Sequence, residues 1–193
     1  MDWLPALLLG YALGSIPFGL LLAKVAGKGD IREIGSGNIG ATNVLRTGSK
    51  GLAAAVLLLD AAKGYLAVWL AARWFVNAAD SAALGAVLGH CFPIWLRFKG
   101  GKGVATTAGV CFGLAWPIGL AYAVVWLGLL AITRISSLSG MAAAIAAPVA
   151  AIVLEEWMFV PALVVITIIV LFLHRANIAR LRAGTEPRIG SKE

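Results

Sequence analysis

The 193-residue chain is poor in charge, since only 13% of its residues are charged, whereas a soluble domain has about 25%. It also lacks a disulfide framework and a metal-ligand spacing, because its two cysteines, Cys91 and Cys111, lie apart in apolar surroundings. Apolar residues are in excess, at 61%, and the mean hydropathy is +0.92. This composition excludes an ordinary soluble domain and predicts an all-α, polytopic integral membrane protein.

Apolar runs of about 20 residues, the length that crosses a bilayer as a helix, predict seven transmembrane helices in one domain, residues 1–193. The run 104–132 is too long for one span and contains Trp116-Pro117, so we divide it into two short helices. Pro17 in the first run is tolerable if that helix packs within protein. The remaining predicted spans are 4–23, 51–72, 82–96, 138–154 and 157–173.

The basic residues predict the orientation of these spans. With seven spans, fourteen of the sixteen Lys and Arg residues fall on one side, in segments 24–50 and 97–102, at Arg134 and in the tail from residue 175. The positive-inside rule then places the N-terminus outside and the C-terminus in the cytoplasm. A six-span arrangement would divide the basic loops between both sides. Because these residues occupy short interruptions between apolar runs, the net charge of +7 does not indicate nucleic-acid binding.

The loop GSGNIGATNVLR, Gly35–Arg46, matches the G-x-G-x-x-G pattern of dinucleotide-binding folds, with Asp60 twenty residues after Gly40. That interpretation fails because the loop lies between two membrane helices, with no strand before it. Glycine N–H groups can still converge on a phosphate, and no acid lies within the loop. A flexible solvated loop is the alternative. The candidate ligand-binding residues here are Gly35, Ser36, Gly37, Asn38, Gly40, Thr42, Asn43 and Arg46.

Two more segments of the predicted cytoplasmic side favour an anionic ligand. Gly100-Gly101-Lys102-Gly103 directly precedes a predicted helix, and it is not a Walker A motif because no Ser or Thr follows Lys102. A glycine-rich turn at a helix start nevertheless presents free N–H groups and a positive dipole end. In the tail, His174 and Asn177 share one helical face, which Arg180 roughly continues. The predicted cytoplasmic site segments are about 25–50, 97–104 and 174–190.

Asp60 and Lys63 stand three residues apart inside an apolar span, where charges are costly and usually paired. A structural ion pair that braces the cytoplasmic loops is the favoured interpretation, ahead of direct chemistry. His90 lies near the cytoplasmic end of its span, where it can hydrogen-bond a neighbour. The roles of all three stay open at this point.

Three motifs together resemble a known family: GSGNIGATNVLR, GHCFPIWLRFKGGKGVAT with the preceding DAAKG, and HRANIARLRAGTE. Over essentially the whole chain it resembles the bacterial acyl-phosphate:glycerol-3-phosphate acyltransferases. The resemblance implies a seven-helix enzyme of the bacterial inner membrane, with its site facing the cytoplasm. Its substrates would be acyl phosphate and glycerol 3-phosphate, with membrane lipid around it and no cofactor, metal, nucleic acid or obligate protein partner.

The resemblance also implies roles for residues. Ser36, Arg46, Lys102, His174 and Asn177 would form the catalytic glycerol-3-phosphate pocket. The stretches Gly35–Gly40 and Gly100–Gly103 would help to hold the acyl-phosphate head. Apart from the resemblance, Thr106 is a further binding candidate, and Asp60, Lys63, His90 and Arg180 are candidate supporting residues.

The chemistry leaves two mechanisms and three functional classes open. Acyl phosphate is a mixed anhydride with a good leaving group, so the departing phosphate can take the proton of the attacking hydroxyl; catalysis by His174 or His90 as general base is the alternative.

The His-x4-Asp pair of many thioester-dependent acyltransferases is absent. The competing classes are a transporter of a phosphorylated metabolite, which would place its site near the midplane, and a lipid-binding partner protein.

Overall fold

The computed structural model describes residues 2–190, and every regular element within them is helical. The α-helices, in chain order from α1 to α10, are Trp3–Gly14, Phe18–Val25, Ala41–Leu45, Lys50–Trp74, Ala79–Cys91, Val104–Leu114, Trp116–Thr133, Ser136–Val153, Val160–Leu173 and Arg175–Arg182. Short 3-10 turns cover Ile31–Glu33, Ile94–Leu96 and Trp157–Phe159.

Five segments are long and apolar enough to cross a membrane, and a sixth is added if Trp157–Leu173 and Arg175–Arg182, bent by 59°, count as one. Between them lies α6, which has 11 residues. At about 1.5 Å per residue it extends about 16 Å, roughly half of the 30 Å hydrocarbon core. The helical membrane class is therefore confirmed, and the count of seven spans stays a prediction.

Two proline positions differ from the sequence-based expectation. The break in 104–132 falls at Ala115, and Trp116-Pro117 form the first turn of α7. Proline suits a first turn because the N–H that it lacks has no partner there. The first predicted span, in contrast, is broken at Pro17, between α1 and α2.

The break before Pro17 is held by side chains from distant segments. Trp95 Nε1 donates to the Ser15 carbonyl at 2.9 Å, and Lys63 Nζ donates to the Ile16 carbonyl at 2.8 Å. Carbonyls that leave a helix within a membrane need such donors, since lipid offers none. The break thereby connects the first span to α4 and to the turn after α5.

Glycines allow the helices that frame the site to pack closely. A Cβ at Gly10 or Gly14 of α1 would collide with the α5 backbone at Ala82 or Ala86, and a Cβ at Gly109 of α6 would collide with the α4 backbone at Ala61. Small residues at helix interfaces are the usual device where lipid provides no hydrophobic drive between helices. These glycines thus pack α1 against α5 and α6 against α4.

A buried apolar cluster joins α4 to α9 and holds the start of α6 in place. It includes Val68, Val87, Val110, Tyr122 and Leu163. The Tyr122 hydroxyl donates to the Val104 carbonyl at 2.9 Å, so α7 fixes the first turn of α6 directly. That turn forms part of the site described next.

Candidate active site

A cavity of about 780 Å3 opens where the loop 35–48, the start of α6 and the segment 174–190 meet. It brings together residues far apart in sequence. Every residue predicted to be catalytic lines it: Ser36, Arg46, Lys102, His174 and Asn177. So do the predicted binding or supporting residues Asn38, Gly40, Thr42, Asn43, Gly103, Asp60, His90 and Arg180.

The cavity wall is strongly basic. Among the charged residues that line it, the basic ones are Arg46, Lys50, Lys102, Arg134, Arg180 and Arg188, and the acidic ones are Asp60 and Glu186. Six basic against two acidic side chains give a positive field in a concave site, which attracts anions. An anionic ligand is the natural occupant.

Asn43, in α3, holds the loop that precedes it by hydrogen bonds. Its Nδ2 donates to the Ile31 and Ile34 carbonyls at 2.6 and 3.2 Å, and its Oδ1 accepts from Ser36 N–H at 3.1 Å and from Arg46 Nη1 at 3.4 Å. Asn43 is 2% exposed. Because its amide is engaged inside the protein, its contribution is to place Ser36 and Arg46 rather than to contact a ligand directly.

Two glycine N–H groups of this loop, predicted to hold a phosphate, are bonded within the loop itself. The N–H of Gly37 donates to the Ile34 carbonyl at 3.0 Å, and that of Gly40 to Asn38 Oδ1 at 2.8 Å. Gly35 has φ +52° and packs against the Arg46 side chain so closely that a Cβ would overlap it. Gly35 and Gly37 lie outside the cavity wall, so their role is conformational.

Gly100 and Gly101 also differ from expectation, because the end of α5 uses their N–H groups. Gly100 N–H donates to the Cys91 carbonyl at 3.1 Å and Gly101 N–H to the His90 carbonyl at 3.0 Å. Neither glycine lines the cavity, and neither does Thr106, which is fully buried against Gly64 of α4. The sequence pattern located this loop without revealing which N–H groups were already bonded.

What this segment offers to the cavity is Lys102 and the start of α6. Gly103, at φ +87°, turns the chain into the helix, and Val104 and Ala105 of its first turn line the cavity. The first N–H groups of a helix carry a partial positive charge that favours an anion. Lys102 lines the same cavity, two residues before this first turn.

Lys102 heads a chain of polar contacts that ends on Glu186. Lys102 Nζ donates to Asn177 Oδ1 at 2.5 Å, and Asn177 Nδ2 donates to Glu186 Oε1 at 2.6 Å. Glu186 also accepts from Ser137 Oγ at 2.6 Å and from Arg180 Nε at 2.7 Å. Sequence analysis missed the roles of Glu186 and Ser137, although Glu186 is the one acid between residues 174 and 190 and closes the third motif.

Burial and charge shift the pKa values around this chain of contacts. Burial lowers the pKa of Lys102, and the positive charges of Arg180 and Arg46 lower it further against the opposing effect of Glu186. Burial alone would raise the pKa of Glu186, but hydrogen bonds from Ser137, Asn177 and Arg180 bring it below its usual value. The carboxylate is therefore charged at neutral pH and fixes the Asn177 amide.

His174, the first residue beyond α9, is 3% exposed and has its Nδ1 2.7 Å from the Val170 carbonyl. Burial lowers its pKa to about 4, and the charge of Lys102 acts in the same direction. The ring is thus neutral at pH 7. With Nδ1–H donating to the carbonyl, Nε2 carries the lone pair and can accept a hydrogen bond.

Apolar side chains also line the cavity, a feature that the sequence motifs did not predict. They include Leu57 of α4, Val104 of α6, and Trp126 and Leu130 of α7. The Thr42 and Ser136 hydroxyls meet at 2.9 Å and connect α3 to α8. A site lined by both basic and apolar side chains suits an amphiphile with an anionic head.

Known proteins match both the sequence and this architecture. A family model described as glycerol-3-phosphate acyltransferase matches residues 4–184. The glycerol-3-phosphate acyltransferase of Erythrobacter litoralis (strain HTCC2594) is 67% identical over 187 residues, covering 97% of this chain and 95% of the relative. That of Novosphingobium aromaticivorans is 63% identical over 193 residues, covering 100% and 98%.

Solved structures agree. The chain superposes on a crystal structure of PlsY (YgiH), an integral membrane glycerol 3-phosphate acyltransferase in its glycerol 3-phosphate form, with a TM-score of 0.92 and 38% identity, covering 98% of this chain and 96% of that one. The lysophosphatidic acid form gives a TM-score of 0.89 at 37% identity, with the same coverage. Because the family model matches residues 4–184 and the two relatives match nearly the whole chain at 67% and 63% identity, the chain belongs to the glycerol-3-phosphate acyltransferase family.

Proposed function

We propose that this acyltransferase moves a fatty acyl group from acyl phosphate to the 1-hydroxyl of glycerol 3-phosphate, giving lysophosphatidic acid and phosphate. The observation that carries the proposal is one cavity lined both by six basic side chains and by apolar residues of α4, α6 and α7. Such a cavity accommodates two phosphate heads and an acyl chain. The glycerol 3-phosphate and lysophosphatidic acid forms of PlsY support the same acceptor and product.

The reaction forms a bond between the glycerol oxygen and the acyl carbon and breaks the bond from that carbon to the phosphate oxygen. The hydroxyl proton passes to the departing phosphate, so the balance requires neither a covalent acyl-enzyme nor a cofactor. Two anions must approach each other, and Arg46, Lys102 and the start of α6 would offset their repulsion. Holding the hydroxyl oxygen close to the acyl carbon, above the plane of its carbonyl group, would supply much of the acceleration.

His174 serves in this mechanism as an acceptor that orients the hydroxyl through Nε2. A pKa of about 4 makes its imidazole a poor general base at neutral pH, since a base works best when its pKa lies near the operating pH. Ser36 and Asn177 would complete the acceptor pocket. This supports substrate-assisted transfer over base catalysis.

The proposed arrangement in the membrane has seven spans, with the N-terminus outside and this cavity facing the cytoplasm of a bacterial inner membrane. The fourteen basic residues on one side support it. The α6 span would be short, and the basic loop 97–103 before it, which is bonded to the end of α5, would lie on the cytoplasmic side. Residues 1–193 would act as one domain without an obligate protein partner.

The test compares two acyl donors on purified, detergent-solubilised protein. Palmitoyl phosphate or palmitoyl-CoA is supplied with and without glycerol 3-phosphate, and released phosphate and lysophosphatidic acid are quantified. The proposal expects equal amounts of both products from palmitoyl phosphate, dependent on glycerol 3-phosphate, and no turnover of palmitoyl-CoA. Product from palmitoyl-CoA alone would overturn the donor assignment, and no product from either donor would overturn the proposed activity.

A further inference from the structure

Three buried ionisable side chains at the cavity have no role in the proposed reaction, and two of them, Asp60 and His90, line it. Asp60 and Lys63 of α4 and His90 of α5 are 2%, 4% and 4% exposed. Asp60 Oδ1 lies 2.6 Å from Lys63 Nζ and 3.7 Å from His90 Nδ1. Charges at such depth are expensive, so their presence points to a function.

The cluster touches two structural irregularities. On one side, Lys63 Nζ also donates to the Ile16 carbonyl at 2.8 Å, at the break between α1 and α2. On the other side, the His90 ring lies directly against Gly101, where a Cβ would overlap the ring atoms. The cluster therefore bridges the broken first span and the loop that carries Lys102.

The loop rests on His90 through both its ring and its backbone. Gly101 N–H donates to the His90 carbonyl at 3.0 Å while its Cα packs on the imidazole, so the ring orientation sets how closely the loop approaches α5. Lys102 is the next residue, and its ammonium reaches Asn177 across the cavity. A shift of the ring would therefore move the Lys102 backbone.

We infer that Asp60, Lys63 and His90 are positioning residues: Asp60, held by Lys63 and 3.7 Å from His90 Nδ1, orients the His90 ring by electrostatic attraction rather than by a hydrogen bond. The ring is then the support on which Gly101 lies, and it thereby places the Lys102 ammonium. The inference rests on the proposed function of Lys102 in acyl transfer. A purely structural ion pair would stabilise the helices without affecting Lys102. The two are separated by asking whether the loss of activity passes through Lys102.

The experiment is a double-mutant cycle between Asp60→Asn and Lys102→Arg, with palmitoyl phosphate and glycerol 3-phosphate as substrates. A misplacement of the order of 1 Å can cost about 100-fold, so Asp60→Asn alone should lower kcat/KM by about 10- to 100-fold. In the Lys102→Arg variant the longer side chain already places its charge elsewhere. There Asp60→Asn should lower kcat/KM by less than about 3-fold, because the effects of coupled residues are not additive. Thr167→Val, which removes a buried hydroxyl bonded to the Ala144 carbonyl in α8, is the control. Its effect on kcat/KM should be the same fold-change in the wild type and in the Lys102→Arg variant.

Equal losses in both backgrounds would overturn the inference, as would a lowered Tm with unchanged kcat/KM. Replacing His90 supplies an independent variant. His90→Phe keeps a ring beneath Gly101 and should retain at least about 10 times the activity of His90→Ala, a difference within the range that positioning provides. Equal activity of the two would contradict the supporting role of the ring.

A second readout does not depend on catalysis. Hydrogen exchange of residues 97–103 should be faster in Asp60→Asn than in the wild type, because the Gly100 and Gly101 N–H bonds report how the loop is docked. Unchanged exchange in this loop would overturn the inference even if the enzyme were inactive with the chosen donor. Absence of product from the wild type, with exchange altered as expected, would instead reject the proposed function and leave the positioning role supported.

Discussion

Replacing Glu186 by Gln removes the charge at the end of the polar chain while keeping the shape of the side chain. Glu186 accepts two bonds from buried partners, Ser137 and Asn177, and one from Arg180, whose side chain is 40% exposed. Hydrogen bonds to a charged group contribute about 1.5–3 kcal/mol and neutral ones about 1 kcal/mol. Each buried bond should therefore weaken by about 1 kcal/mol, whereas the exposed Arg180 contact adds little.

The loss of about 2 kcal/mol should loosen the tail, because Glu186 connects it to α8 and α10. Since 1.4 kcal/mol is a factor of ten, amide exchange in residues 184–190 should accelerate by about 30-fold. The reporting amide is Ile189 N–H, which donates to the Arg134 carbonyl at 2.7 Å. Activity should fall by about 10-fold or more, because the Asn177 amide that meets Lys102 loses its fixed partner.

Hydrogen exchange with mass spectrometry on the purified protein measures the first effect, and lysophosphatidic acid formation measures the second. Glu155→Gln is the matched control, since Glu155 is an exposed acid at the far end of α8 and should leave the tail unchanged. Wild-type exchange of residues 184–190 together with wild-type activity in Glu186→Gln would refute the reasoning.

Three further predictions concern pH, His174 and the first span. Hydrogen bonds lower the pKa of Glu186, so the stability that they provide is complete above about pH 4.5 and is lost as the pH falls through the lower folded-state pKa. Acid should therefore speed amide exchange of the wild-type tail, as Glu186→Gln does at neutral pH. For His174, with a folded-state pKa of about 4 against 6.5, stability is complete above pH 6.5 and declines by about 3 kcal/mol as the pH falls toward 4; His174→Gln should flatten this part of the Tm–pH curve. The same variant should lower kcat less than about 100-fold without changing the shape of the pH–rate profile, whereas loss of an alkaline or acidic limb would support a general base. Trp95→Phe keeps the ring but leaves the Ser15 carbonyl without its donor, so Tm should fall in line with a cost of about 1–3 kcal/mol, while Trp3→Phe, at an exposed position, should leave Tm unchanged.

Hydropathy and charge predicted the helical membrane class, because bilayer length and the cost of buried charge act locally along the chain. The predicted span 51–72 corresponds to Lys50–Trp74, and 138–154 to Ser136–Val153. The break at Pro17 was not predicted, since the donors that make it tolerable, Trp95 and Lys63, come from other segments.

The motifs located the segments of the site but not the duty of each residue. The resemblance placed Lys102 and Asn177, 75 positions apart, in one pocket, and their side chains are in contact. For Gly100 and Gly101 contact with a phosphate stays a prediction. The structure shows their N–H groups bonded to the end of α5, which a glycine in a sequence does not reveal. Glu186 was overlooked for the same reason: its partners lie on α8 and α10, and only the fold brings them together.

The most direct test of the account asks whether this cavity performs acyl transfer. Lysophosphatidic acid formation from palmitoyl phosphate and glycerol 3-phosphate should be measured for the wild type, Arg46→Ala and Lys102→Ala, each shown by its thermal unfolding to be folded. We expect wild-type turnover and a loss of at least about 100-fold in each variant, the effect of removing one group that stabilises charge in the transition state. Near-normal turnover by either folded variant would contradict the assignment of the site.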